Sequence, residues 1–116
     1  MPELELLMSV DATLRFVPVG ATPAGNRVDV PFEGTATSPR WEGELAVSGV
    51  DYALIRGDGT VALDIRARVG EGERVIWYSA TGRSGPDGIR EVFTFETACE
   101  EFADLNAAVA VALGTQ

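Results

Sequence analysis

The 116-residue chain contains no histidine and, although it carries nine cationic side chains, no lysine: every one is an arginine. Without histidine, no Ser-His-Asp triad, Cys-His pair or imidazole metal site can be assembled within the chain. Without lysine there is no Schiff-base chemistry, and a guanidinium does not serve as an ordinary proton acceptor. Any general base must therefore come from Asp, Glu, Tyr or the lone cysteine, Cys99. A single cysteine forms no intrachain disulfide, and with no histidine to activate it Cys99 reads as a small core or loop residue. No apolar run approaches the ~18 residues that span a bilayer, and the start "MPELELLMSV" lacks the basic region and long apolar run of a signal peptide. A cytoplasmic setting is expected.

What is present is an ordinary globular composition, 46% hydrophobic and 23% charged, of a size that bounds the chain to one domain over residues 1–116. Eighteen acidic residues against nine basic ones give a net charge of −9, which repels nucleic acid and anionic lipid. Neither is expected as a partner.

Period-two alternation runs through most of the chain. From Glu3 to Val17, Leu4, Leu6, Met8, Val10, Ala12, Leu14 and Phe16 alternate with Glu3, Glu5, Ser9, Asp11, Thr13 and Arg15, predicting one long strand or two meeting at a bend. "PVGATPAGNR" (18–27) predicts a loop, and "VDVPFEG" a short strand that Pro31 would confine to an edge or bulge. "WEGELAVSG" alternates again. "VDYALIRGDGTVALDIRARV" (50–69) reads as two strands around Gly57-Asp58-Gly59-Thr60, the second with Leu63, Ile65, Ala67 and Val69 on one side and Asp64, Arg66 and Arg68 on the other. In "RVIWYSATG", Val75, Trp77 and Ser79 oppose Ile76, Tyr78 and Ala80; in "IREVFTFETA", Phe93 and Phe95 share a face with Glu91 and Thr97. "CEEFADLNAAVAVALG" has the composition of a helix, but from Leu105 onward large and small residues alternate, so a strand over 105–113 is expected with at most one helical turn before it. Strands at this spacing with Gly-rich turns predict an all-β fold: a single antiparallel barrel of about eight strands, calycin-like or lipocalin-like in general shape.

The blocks "VGATPAGNR", "PFEGTATSPRWEGEL", "GVDYALIRGDGTVALDIRARV", "FETA" and "LNAAVAVALG" resemble, in order, those of the domain-of-unknown-function family 3237, DUF 3237, also called UPF 0311. The family's loop residues fall on Gly20, Thr22, Pro23, Gly25 and Arg27, its hairpin residues on Asp51, Tyr52, Leu54, Arg56, Asp58 and Gly59, its paired charges on Asp64 and Arg66, and its terminal block on Leu105 and Asn106. The resemblance implies a compact antiparallel β-barrel. The chain departs from the pattern at Ala80, Asp104 and Ala107, and "RSGPDGIREV" replaces a long excursion common in the family, which should leave the barrel mouth more open.

Two placements of the charged strand are open. Asp64, Arg66 and Arg68 form a solvated outer face, or Asp64 and Arg66 lie inside, the arginine holding its neighbour ionised while both bind a polar ligand group. Likewise Arg56 reaches to solvent, its stem covering apolar surface, or turns inward as an anchor with Tyr52 as its partner. The alanine row packs tightly or leaves room for a ligand oriented by Asn106, and Trp77, Tyr78, Phe93 and Phe95 are either plain core or the walls of a pocket. Glu100, Glu101 and Asp104 lack the spacing of a calcium loop, so no metal site is expected.

The functional expectation is a small-molecule-binding barrel. First stands a cofactor-independent cyclase, isomerase or lyase acting on an apolar or amphipathic carbonyl-bearing metabolite in the lumen. In it Asp64 or Asp51 is the proton acceptor, Arg66 or Arg56 stabilises oxyanion charge, and Tyr52, Tyr78 and Asn106 orient the substrate. The alternatives are a non-catalytic carrier, marked by a lumen free of carboxylates, and an oligomerisation module or homo-oligomer.

Overall fold

A computed structural model describes residues 6–114. The expected positions Glu3, Leu4 and Glu5 fall outside that span. Eight strands form one antiparallel sheet: β1 (Ser9–Leu14), β2 (Val17–Thr22), β3 (Gly25–Ser38), β4 (Trp41–Ile55), β5 (Val61–Glu71), β6 (Arg74–Gly85), β7 (Gly88–Glu96) and β8 (Val109–Gly114), with a 3₁₀ helix at Glu100–Ala107 before β8. The order is β1-β3-β4-β5-β6-β7-β8, and β2 also pairs with β3. The expected all-β, antiparallel, eight-stranded barrel-like sheet is present, but among the described residues no ladder joins β8 to β1. With extents of 43 × 37 × 22 Å, it is a curled half-barrel.

The alternation of β5 sets the facing of the sheet. Leu63, Ala67 and Val69 are buried, and once that face turns inward Asp64, Arg66 and Arg68 must turn out. Register carries the inner face across the strands as rows: Gly49, Ala67, Tyr78, Phe95; then Asp51, Ile65, Ala80, Phe93, Ala110; then Leu63, Gly82, Glu91, Ala112. Gly49 has to be glycine, because a Cβ there would run into the Ala67 Cβ and the Arg66 carbonyl. The β4–β5 turn closes with Arg56 N–H donating to the Thr60 carbonyl (2.8 Å) and the Asp58 carboxylate accepting from Thr60 N–H (2.9 Å), while Gly59 takes φ +86°.

Three local expectations are corrected. The segment 18–27 is a hairpin, β2 turning into β3 at Thr22 to Gly25, where the Thr22 hydroxyl bonds the Gly25 carbonyl at 3.0 Å. Pro31 sits mid-strand in the fourteen-residue β3, paired with Val50 on one side. On the other side it faces the break between β1 and β2, which share that edge of β3; there its carbonyl accepts Arg15 N–H at 3.0 Å and its missing N–H falls where no ladder runs. Finally, Leu105 to Ala107 belong to the 3₁₀ helix, and the strand starts only at Val109. Phe102 and Leu105, three apart and therefore on one side of a 3₁₀ helix, are the helix's two buried residues.

That helix plugs one end of the curl. Phe102 is fully buried and meets Trp41 edge-on, with centroids 5.7 Å apart, among Ala36, Val47, Val69 and Ile76. The Arg40 and Arg74 guanidinium groups lie 5.8 and 5.6 Å from the Phe102 ring centre, and each also pairs with an acid of the helix: Arg40 with Asp104 (2.6 Å) and Arg74 with Glu101 (3.1 Å).

Candidate functional site

The opposite end of the concave face has no such plug among the described residues. Toward that end the inner face carries small side chains, Ala53, Ala80, Gly82, Ala110 and Ala112, with Ala53 and Ala80 buried and the other three partly buried. On this face stand two acids, Asp51 from β4 and Glu91 from β7, both half-buried. Behind them, Tyr78 (6% exposed), Phe93 and Phe95 form an aromatic wall, with Tyr78–Phe93 centroids at 5.1 Å and Phe93–Phe95 at 6.2 Å.

Asp51 is held by the strand it faces. The β4–β5 register runs to Asp51↔Ile65 and resumes at Leu54↔Ala62; between them Asp51 Oδ1 accepts the Asp64 N–H at 3.0 Å. Burial pushes the Asp51 carboxyl above the usual carboxylate range, a bond from the Asp64 N–H pulls the other way, and the Asp64 charge adds to the rise. Glu91 has less help. Its Oε2 is buried without a hydrogen-bond partner among the described residues. Burial raises its pKa, and the negative charge of Asp51 raises it further. The Tyr78 hydroxyl is also shifted upward, by burial first and then by the charge of Glu91, so it stays protonated. Two half-buried acids with raised pKa values, the Glu91 shift owing part of its rise to the Asp51 charge, stand beside a neutral phenol, a grouping suited to proton transfer.

The expected site residues are thus divided. Asp51, Tyr78, Phe93 and Phe95 come together on the concave face. Asp64 and Arg66 do not: they lie on the convex side, Asp64 half-buried and Arg66 exposed, and no ion pair joins them among the described residues. The inward placement of this pair is corrected, because the same alternation that buries Leu63 and Ala67 turns them out. Tyr52 is 44% exposed on the convex side, and Arg56 lies past the end of β4, 4.0 Å from Asp58. Trp77 is 52% exposed on the convex side, where with Arg66, Ser79, Thr94 and Glu96 it lines an open groove of about 620 Å³.

Asn106 is a structural clamp. Its carboxamide oxygen accepts Thr97 N–H (2.9 Å) and its nitrogen donates to the carbonyls of Thr97 (2.9 Å) and Ala103 (3.3 Å), tying the helix to the end of β7. With both ends of the amide used on backbone, it is not left to orient a ligand.

Glu91 is the residue that sequence reasoning passed over. Its signal was a carboxylate sharing the period-two face of Phe93 and Phe95. The buried Ser84 (7% exposed) lies beyond it on β6, at the same open end. Among the described residues no group of acidic or thiol side chains is arranged to hold a metal, and no helix is long and apolar enough to cross a membrane.

No curated protein matches the chain. It is similar in fold to the crystal structure of a protein with unknown function from Clostridium acetobutylicum ATCC 824: the TM-score is 0.78 at 19% identity, covering 94% of this chain and 85% of that one. The match to a family model spans residues 2–87 and so contains Asp51 and Tyr78, whereas Glu91 lies beyond it. On that match, the chain belongs to the family described as Protein of unknown function (DUF3237).

Proposed function

We propose that the concave face is a small-molecule chamber and that Glu91, with Asp51 as its acidic neighbour, transfers the proton in a cofactor-independent isomerase, cyclase or lyase reaction of an apolar, carbonyl-bearing metabolite. The observation that carries this reading is the buried, unpartnered Oε2 of Glu91. A native structure rarely leaves a buried polar atom unpaired, and a carbonyl or hydroxyl oxygen of a bound molecule would satisfy it once the carboxyl is protonated.

In this mechanism the carboxyl of higher affinity for its proton donates a hydrogen bond to the substrate carbonyl. The other, as carboxylate, removes a proton from the adjacent carbon; protonation at a new position completes an isomerisation, and loss of a leaving group completes an elimination. The neutral Tyr78 hydroxyl is a second donor to the developing enolate oxygen. The arginines once expected in this role lie outside the chamber, so charge on the enolate is met by neutral donors, and a neutral substrate suits a site that contains only acids. A cytoplasmic setting belongs to this reading.

The test uses a panel of neutral cyclic ketones and enones in D₂O, with exchange of the α-proton followed by NMR. The expected result is exchange by the wild-type protein that is lost in Glu91→Gln and reduced in Asp51→Asn, with both variants folded. Binding of the panel without exchange supports the second reading, a carrier, which the aromatic wall and alanine floor favour. Neither binding nor exchange removes the chamber.

A further inference from the structure

The convex side of β7 and β8 carries a second feature that the chamber does not use. Val92, Val109, Val111 and Leu113 point outward there, 49%, 69%, 62% and 80% exposed, and register makes them neighbours: Val92 opposite Val111, Thr94 opposite Val109, Arg90 opposite Leu113. Trp77, 52% exposed, borders the group from the neighbouring strand β6. β8 is also an edge strand, with the sequence VAVALG, and so carries none of the charges or prolines that usually keep an edge from pairing. These residues form one contiguous exposed apolar patch, the kind of surface that marks an association site.

The charges around the patch are ordered. At one end Arg83 and Arg90 stand directly opposite each other on adjacent strands, both exposed, an arrangement that repels. At the other end is Glu96, opposite Trp77. Among the described residues none of the three takes part in an ion pair. Arg83 donates only to the neighbouring Gly82 carbonyl, at 2.9 Å.

We infer that this face binds a second copy of the chain, convex side to convex side, about a two-fold axis passing between the Val92–Val111 and Thr94–Val109 pairs. A two-fold that reverses the strand direction stacks valine on valine. It also sets the Arg83–Arg90 end of each copy over Glu96 of the other, which relieves the like-charge pair on both. Burial of both patches would give an interface at the small end of the range for specific contacts, as a weak dimer requires. A chain with net charge −9 repels its own copies, and this uncharged patch, between the paired arginines at one end and Glu96 at the other, adds no acid to that repulsion. The isologous geometry closes after two subunits and leaves both concave chambers free.

Sedimentation equilibrium of the full chain tests this directly. The expected result is a monomer–dimer equilibrium with micromolar dissociation, order of magnitude. Val111→Glu is expected to give a monomer whose melting temperature, measured at high dilution, stays near that of the wild type. Arg90→Glu should weaken the dimer at least tenfold, and Arg90→Glu combined with Glu96→Arg should restore it. A wild-type monomer from about 1 to 200 μM, an open-ended polymer, or a dimer indifferent to Val111→Glu and to the charge exchange each overturns the proposal.

Discussion

The two ends of the curled sheet are built by opposite rules. At the helix-plugged end, aromatic and branched side chains fill the interior, and the polar groups around them are paired: Arg40 with Asp104, Arg74 with Glu101, and Asn106 with the Thr97 backbone. At the open end the strands contribute glycine and alanine beside Ser84 and two acids of raised pKa, one of them with an oxygen that has no partner among the described residues. One end holds the fold. The other keeps two protonatable groups largely out of water, which costs stability, the pattern expected of the proposed site.

The most direct way to break this comparison is to cut a large side chain from each end. Phe102→Ala, which removes a fully buried ring beneath two guanidinium groups, is expected to cost about 3–5 kcal/mol, a large share of the stability of a protein of this size. Leu63→Ala, at the open end and 7% exposed, should cost only about 2 kcal/mol, because water can enter the space it leaves. Urea denaturation of both variants measures the difference. Equal losses would mean that the two ends are packed alike and that the hollow is not real.

Next comes the clamp. Asn106→Ala leaves the Thr97 N–H and carbonyl and the Ala103 carbonyl to water, and is expected to cost about 1–2 kcal/mol. If Asn106 served a ligand instead, the same variant would keep its melting temperature and lose binding.

The division between the ends was partly legible in the sequence. Alternation in β5 and β6 identified which residues share a face, and the sheet obeys it throughout: Leu63, Ile65, Ala67 and Val69 together, Ile76, Tyr78 and Ala80 together. Alternation does not say which face is the inside when both carry chemistry, and so Asp64 and Arg66 stayed possible lumen residues until the curl of the whole sheet decided it. The helix was hidden for a related reason. Leu105 is in step with Val109 and Val111 at period two, but it is equally three residues from Phe102, and only the packing of both against Trp41 and its neighbours shows which period governs. Glu91 could be placed on the aromatic face, yet the absence of a partner for its oxygen depends on strands contributed from elsewhere in the chain.

The acid pair gives the opposite sign from the clamp. Both Asp51 and Glu91 have folded-state pKa values raised above the ordinary carboxylate range, so the native state binds protons more readily than the unfolded chain. Their favourable contribution is complete below the unfolded pKa and is lost as pH rises through the folded value. Glu91→Gln should therefore raise Tm at pH 7, and the gap between variant and wild type should close as the pH falls below about 4. A variant less stable than the wild type at pH 7 would mean that Glu91 is ionised and well solvated, and the open end would lose its distinguishing feature.

The smallest effect belongs to the rim of the plugged end. Arg74 and Glu101 are each close to half exposed, so their 3.1 Å pair is largely screened, and the stacking of Arg74 over Phe102 adds a comparable amount. Arg74→Gln is expected to cost about 0.5–1 kcal/mol in total. Salt separates the two contributions: at ~1 M NaCl the ion pair fades while the contact with the ring persists, so the loss should shrink by about half without vanishing. A loss that disappears entirely in salt would assign the residue's role to the carboxylate alone. One that does not change with salt would place the whole effect in the cover Arg74 gives to the Phe102 ring.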